Sequence, residues 1–217
     1  MFDKIVLDNL LPDIFSSLDP TEMQGDIWLN KVTFVKGQHY IIEAASGTGK
    51  TSLCSYIMGM RTDFTGTIYF DNENASKFTS KKWSEIRRVC LAWLPQEIGL
   101  FDNLTLWENI QIKNRLTRYL SDNQINEYID RLGLTDKKNV KARLLSIGQQ
   151  QRVGFIRMLA QPADFFLLDE PVSHLDAANN ETMAQIMRET LQHTGASMIA
   201  TSVGNRISID GLKELKL

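Results

Sequence analysis

Apolar and polar positions follow two rhythms along this chain. Short apolar runs predict strands at Ile5–Leu7, Ile27–Val35, His39–Glu43, Thr67–Phe70, Val89–Leu94, Phe165–Leu168, Ser197–Thr201 and Arg206–Ile209. Between them, apolar residues return every three or four positions. That spacing predicts helices after Gly49, near Ser80, at Leu106, at Asp122, at Ser146 and at Ala178. In the helix from Asp122, Ile125, Ile129 and Leu132 make one buried stripe. In the helix from Ala178 the stripe is Met183, Ile186, Met187, Thr190 and Leu191. Thr105-Leu106-Trp107-Glu108 and Ser121-Asp122-Asn123-Gln124 each fit a capping box, whose side chains satisfy the orphan N–H groups of a helix start. The alternation of the two rhythms implies an α/β architecture.

Composition narrows the class without naming a function. The 217 residues are 43% apolar and 23% charged, with 24 basic and 26 acidic side chains, so no global basic footprint marks a nucleic-acid partner. Cys54 and Cys90 stand in no metal or redox spacing and read as buried thiols of a reducing compartment. The apolar runs are far shorter than the roughly 18 residues of a membrane span. The segment Met1–Asp8 has neither the basic nor the long apolar region of a signal peptide. The expectation is a soluble, intracellular chain of one domain.

The chemistry concentrates first in Tyr40-Ile41-Ile42-Glu43-Ala44-Ala45-Ser46-Gly47-Thr48-Gly49-Lys50-Thr51-Ser52-Leu53. A strand enters a loop of small residues, and Gly-Lys-Thr opens a helix, which is the setting of a phosphate-binding loop. Gly47 and Gly49 let backbone N–H groups turn inward around a phosphate, and the helix start adds a favourable dipole. Lys50 is placed for the β- and γ-phosphates and the Thr51 hydroxyl for Mg2+. The opening position of the pattern holds Ala44 where glycine is usual, so the loop starts without the conformational freedom glycine gives. A small-residue turn with an accidental lysine is the competing reading.

A second site lies at Phe165-Phe166-Leu167-Leu168-Asp169-Glu170-Pro171, where a buried strand ends in two acids. Ligands of open α/β sheets bind at that edge. Asp169 is placed to hold Mg2+ and Glu170 to polarise an attacking water; an acidic turn is the alternative.

Between these lies Leu145-Ser146-Ile147-Gly148-Gln149-Gln150-Gln151-Arg152, which resembles the LSGGQ signature of ATP-binding cassette (ABC) ATPases. Other pieces match in order. Gln96 resembles the Q-loop glutamine that contacts Mg2+ and water, Ser173-His174-Leu175-Asp176 resembles the D-loop, and Gly37 matches the glycine before the P-loop strand. The resemblance covers the chain from Ile5 onward. It implies a P-loop NTPase fold over residues 1–217, with a RecA-like core, an antiparallel β subdomain and an inserted helical subdomain at about 97–160.

The resemblance also implies that two cassettes pack head-to-tail around ATP. Residues 46–52 (Ser46, Gly47, Thr48, Gly49, Lys50, Thr51 and Ser52) would hold one nucleotide. Ser146, Gly148, Gln149 and Asp176 would face a nucleotide across the interface. Gln96 would join Thr51 and Asp169 at the Mg2+, and Phe15 matches the adenine-stacking aromatic, with a plain packing role as the alternative. Two departures stand out. Ile147 replaces the first signature glycine, and a β-branched residue resists positive φ. Ser202 stands where the family places a switch histidine at the γ-phosphate, whereas His39, His174 and His193 read as non-catalytic. Together with Ala44, these changes imply slower hydrolysis or a changed γ-phosphate contact.

The size leaves no room for a transport channel, and the 96 residues from Lys50 to Ser146 hold no heptads of an inserted coiled coil. The resemblance therefore implies a transporter subunit on the cytoplasmic face, bound to a separate membrane permease. The region from Ile98 to Ile110, with Phe101 and Trp107 as apolar anchors, would meet that permease, although Trp107 also reads as core. The run Leu104–Ile110 looks like compact exporter cassettes of lipoprotein-release or macrolide-efflux systems. A regulatory or scaffold subunit that binds ATP and hardly hydrolyses it is the rival reading, and a simple P-loop kinase a more distant one.

Overall fold

The computed structural model describes residues 1–18 and 25–217. Its elements run β1 (Lys4–Pro12), β2 (Lys31–Val35), β3 (His39–Glu43), α1 (Lys50–Ile57), β4 (Phe64–Phe70), β5 (Glu73–Asn74), α2 (Ser80–Val89), β6 (Leu91–Leu94), α3 (Leu106–Asn114), α4 (Asp122–Arg131), α5 (Ile147–Leu159), β7 (Phe165–Asp169), α6 (Ala177–Thr194), β8 (Ser197–Ser202) and β9 (Leu212–Lys216). Two sheets form. One is antiparallel, in the order β2-β1-β4-β5; the other has the order β6-β7-β8-β3-β9, and all its pairings are parallel.

The central strands of the parallel sheet are buried on both faces, which is why they read as continuous apolar runs. Their residues divide with the period of two that a strand dictates. Ile41, Phe166, Leu168, Met198 and Ala200 pack into a core shared with α3, α4, α5 and α6. Tyr40, Ile42, Phe165, Leu167 and Ile199 pack into a second core with α1 and the antiparallel sheet. The stripe on α4 is buried as expected, and so is that on α6 except for half-buried Thr190.

Several strands differ from the sequence reading: the first runs on to Pro12 and the fourth begins at Phe64, so both are longer than their apolar runs. Ile27–Asn30 is a turn, with Leu29 at φ +59°, so the strand starts at Lys31. Val89 closes α2, and β6 starts at Leu91. Arg206–Ile209 is not a strand: Ile207 and Ile209 are buried alternately without a ladder, and Ile209 N–H bonds back to the Ile207 carbonyl. The last strand is instead Leu212–Lys216, whose charged residues suit an exposed sheet edge and mask the apolar signal. Among the described residues no helix is long and apolar enough to cross a membrane.

Candidate active site

The loop between β3 and α1 closes around the Lys50 side chain. Gly47 and Gly49 take φ of +84° and +100°, a region in which an L side chain is strained. Ala44 stays out of that region, and its N–H bonds to the Ser202 carbonyl of the neighbouring strand at 3.2 Å. Lys50 is 6% exposed. Its ammonium donates to the carbonyls of Ala45 (2.9 Å) and Ala44 (3.2 Å) and lies 3.4 Å from Glu170 Oε1. Thr48 Oγ1 donates to the Ala45 carbonyl, and Ser52 Oγ accepts from Arg61. Ser46 is exposed at the outer rim.

The acids at the end of β7 face this loop. Asp169 is 1% exposed and accepts one hydroxyl on each oxygen, from Thr51 and from Thr201, both at 2.6 Å. These oxygens form a hard donor set of the kind that suits Mg2+. Among the described residues no three His, Cys, Asp or Glu side chains form a closed metal cage. Gln96, just after β6, donates from Nε2 to Glu170 Oε2 at 3.4 Å. The structure thus brings Lys50, Thr51, Gln96, Asp169 and Glu170 together from three separate chain segments. Cys54, one turn into α1, is buried, and its burial, together with nearby Asp169, pushes its thiol pKa well up.

Phe15 lies in a short helical turn after β1, against the glycine at the head of α1. A Cβ on Gly49 would stand 3.3 Å from the Phe15 ring and 3.0 Å from that of Trp28. Trp28 Nε1 also donates to the Thr48 carbonyl at 3.2 Å.

The signature residues occupy the start of α5. Ser146 is its N-cap, and Ser146 and Gln149 close a capping box on each other. Among the described residues no hydrogen bond joins Ser146, Gly148 or Gln149 to residues 44–52. Asp176 caps α6. Hydrogen bonds from the Asn179 backbone N–H and side-chain amide hold its carboxyl below the ordinary range.

Residues 30–173 match the ABC transporter family over its ATP-binding domain. The chain belongs to that family. This ABC cassette is 32% identical over 176 residues to the trimethylamine N-oxide transport system ATP-binding protein of Pelagibacter ubique, covering 77% of this chain and 52% of that one. It is 31% identical over 188 residues to the cytochrome c biogenesis ATP-binding export protein of Gluconobacter oxydans, covering 85% and 79%. In fold it matches the dimeric structure of a bacterial ABC transporter cassette, with a TM-score of 0.77 at 23% identity over 98% of this chain and 94% of that one. The chain spans 52–57% of the length of the first curated relatives it matches.

Two departures from the family pattern acquire a physical meaning in this ABC cassette. Ile147 sits in the first turn of α5 with no positive φ, so the expected backbone strain is not there; its side chain is 64% exposed instead. The glycine that packing requires is Gly148, where a Cβ would come 2.9 Å from the His174 carbonyl oxygen. Ser202 is 1% exposed, and its hydroxyl donates to the Asn205 carbonyl at 2.8 Å and accepts from the Gly204 N–H. A contact from Ser202 to a nucleotide would require that turn to open. Trp107 is half-buried against the core, with the Lys138 ammonium 4.0 Å from its ring centroid, while Phe101 is 56% exposed.

Sequence reasoning passed over three residues. Trp28 was hidden in a run read as strand, although a tryptophan near a phosphate loop is a usable signal. Thr201, bonded to Asp169 and the Glu170 N–H, and Gln151, bonded to the Glu170 carbonyl, act through long-range hydrogen bonds that no local pattern announces.

Proposed function

We propose that this ABC cassette is the ATP-binding and ATP-hydrolysing subunit of a transporter, working as half of a head-to-tail dimer closed by ATP. The observation that carries this reading is the convergence of Lys50 and Gln96 on the Glu170 carboxylate beside the Thr51–Asp169 pair. Backbone N–H groups of residues 46–52 and the head of α1 embrace the phosphates, and Lys50 leaves Glu170 for the β- and γ-phosphates. Thr51, Asp169 and Gln96 would hold Mg2+, which would supply Lewis-acid stabilisation of the phosphate oxygens. Glu170 accepts a proton from the water that attacks the γ-phosphorus, and ADP is the leaving group. Phe15 stacks on the adenine, with Trp28 holding the loop. Ser146, Gly148, Gln149 and Asp176 of each copy face the nucleotide of the other, and Ser202 flanks the γ-phosphate once its turn opens.

The subunit would sit on the cytoplasmic face through a membrane permease. A groove of about 400 Å3 between the sheet and the helical layer is lined by Met58, Arg87, Trp93, Phe101, Lys113 and Gln161, among others. Trp93 Nε1 and Gln161 Oε1 are buried without partners among the described residues, which suits a short segment of such a permease. The compact-exporter type rests on the run Leu104–Ile110, and a permease gene beside this one would test it.

Gel filtration of wild type and Glu170→Gln with and without Mg-ATP tests the reading. An ATP-trapped dimer that accumulates only in the variant supports hydrolysis. The local engagement of Ser202 favours the second reading, a scaffold that binds ATP and hardly turns it over; equal dimer in both proteins would support that instead.

A further inference from the structure

Gln151 is 3% exposed on α5. Its Nε2 donates to the backbone carbonyl of Glu170 at 3.2 Å, and its Oε1 is buried without a partner among the described residues. A buried amide with one end unsatisfied is costly, and an apolar side chain of the same shape would avoid that cost. The bond to Glu170 is the feature an apolar residue could not supply.

Glu170 is where such a bond matters. Its φ of +49° is unusual for a non-glycine residue and is held from outside. The Glu170 N–H donates to Thr201 Oγ1 (3.1 Å), and its carbonyl accepts from Ser173 Oγ (3.1 Å), Ser173 N–H (3.3 Å) and Gln151. Thr201 belongs to the sheet and Ser173 to the local turn; Gln151 alone among these reaches Glu170 from the helical layer.

Helix α5 touches the segment after Glu170 at two further places. Gly148 packs on the His174 carbonyl with no room for a Cβ, and Arg152 donates to Asn179 Oδ1 at 2.6 Å and to the Gly148 carbonyl. A displacement of the head of α5 therefore reaches the Glu170 peptide through a rigid helix.

We propose that Gln151 is a positioning residue that couples the two ATP sites of the dimer. Seating the head of α5 on the partner's nucleotide sets the Glu170 peptide in the cassette's own site. This rests on the ATPase dimer proposed above. Gln151 itself touches no reacting atom.

Two variants test it. Gln151→Met keeps the shape without a donor, and Gln151→Glu keeps the shape with acceptors only. In both, kcat is expected to fall about tenfold, KM for ATP to stay within about twofold, and the Hill coefficient to drop to about 1. In the nucleotide-free proteins, amide exchange at Ser173 and His174 should be about tenfold faster than in wild type.

Wild-type turnover, cooperativity and exchange in both variants would overturn the inference. So would a loss of turnover that only follows a fall in folded fraction on melting, with exchange unchanged. Absence of turnover in wild type would instead overturn the ATPase reading, and the exchange rates would still decide whether Gln151 holds Glu170.

Discussion

Lys50 Nζ lies 3.4 Å from Glu170 Oε1, so the loop cation and the acid just after β7 form an ion pair across the proposed nucleotide site. ATP must separate that pair to engage Lys50. Removing the carboxylate charge should therefore strengthen binding while removing the proton acceptor. Glu170→Gln is expected to bind ATP several-fold more tightly in a fluorescent-nucleotide titration and to release phosphate at least about a hundredfold more slowly.

Phe15 and Trp28 both lie against Gly49, and their contributions separate by ligand. Trp28→Phe loses the bond to the Thr48 carbonyl, which shapes the phosphate loop, so ATP and inorganic tripolyphosphate should weaken alike. Phe15→Ala should weaken ATP several-fold and leave tripolyphosphate unchanged, because only the adenine offers a face to stack on. Calorimetric titration of both ligands checks the pair.

The two adjacent signature positions should respond differently, one through packing and the other through turnover. Gly148→Ala drives a Cβ against a backbone oxygen at 2.9 Å and is expected to cost about 1–3 kcal/mol, read as a lower denaturant midpoint. Ile147→Gly relieves no strain and costs up to about 1 kcal/mol of helix stability. It removes an exposed side chain from the surface that would face a partner's nucleotide, so phosphate release should rise.

Asp176 makes α6 sensitive to acid. Its folded pKa is held below the ordinary 3.8 by the Asn179 hydrogen bonds, so the charged form favours the folded state. That stability is present above the ordinary value and is lost as pH falls through the lower folded one. Urea midpoints of wild type and Asp176→Ala should differ by a constant amount from about pH 7 to 5, and the gap should shrink below about pH 4.

Much of this molecule was legible before any coordinates. The P-loop, the acids at the end of β7 and the caps of α3 and α4 are patterns of a few consecutive residues, and local backbone chemistry dictates them wherever the chain goes. The buried strands were legible too, because burial on both faces demands unbroken apolar runs. β9 was missed because an edge strand is stabilised by its pairing with β3 rather than by an apolar pattern. Arg206–Ile209 misled because burial alternates there without pairing.

What the sequence determined by itself was the inventory: which side chains could bind phosphate, metal and water, and on which elements they would stand. Only the tertiary structure decided which of them meet. Trp28 reaches Thr48 across 20 residues, Gln151 reaches Glu170 across 19, and Thr201 reaches Asp169 across 32. It also turned Ser202 into its own loop and showed that Gly148, not its neighbour, is held by packing. The reason is physical. A hydrogen bond between segments depends on sheet order and helix placement, which are set by burying two cores at once, and no short stretch of sequence carries that constraint.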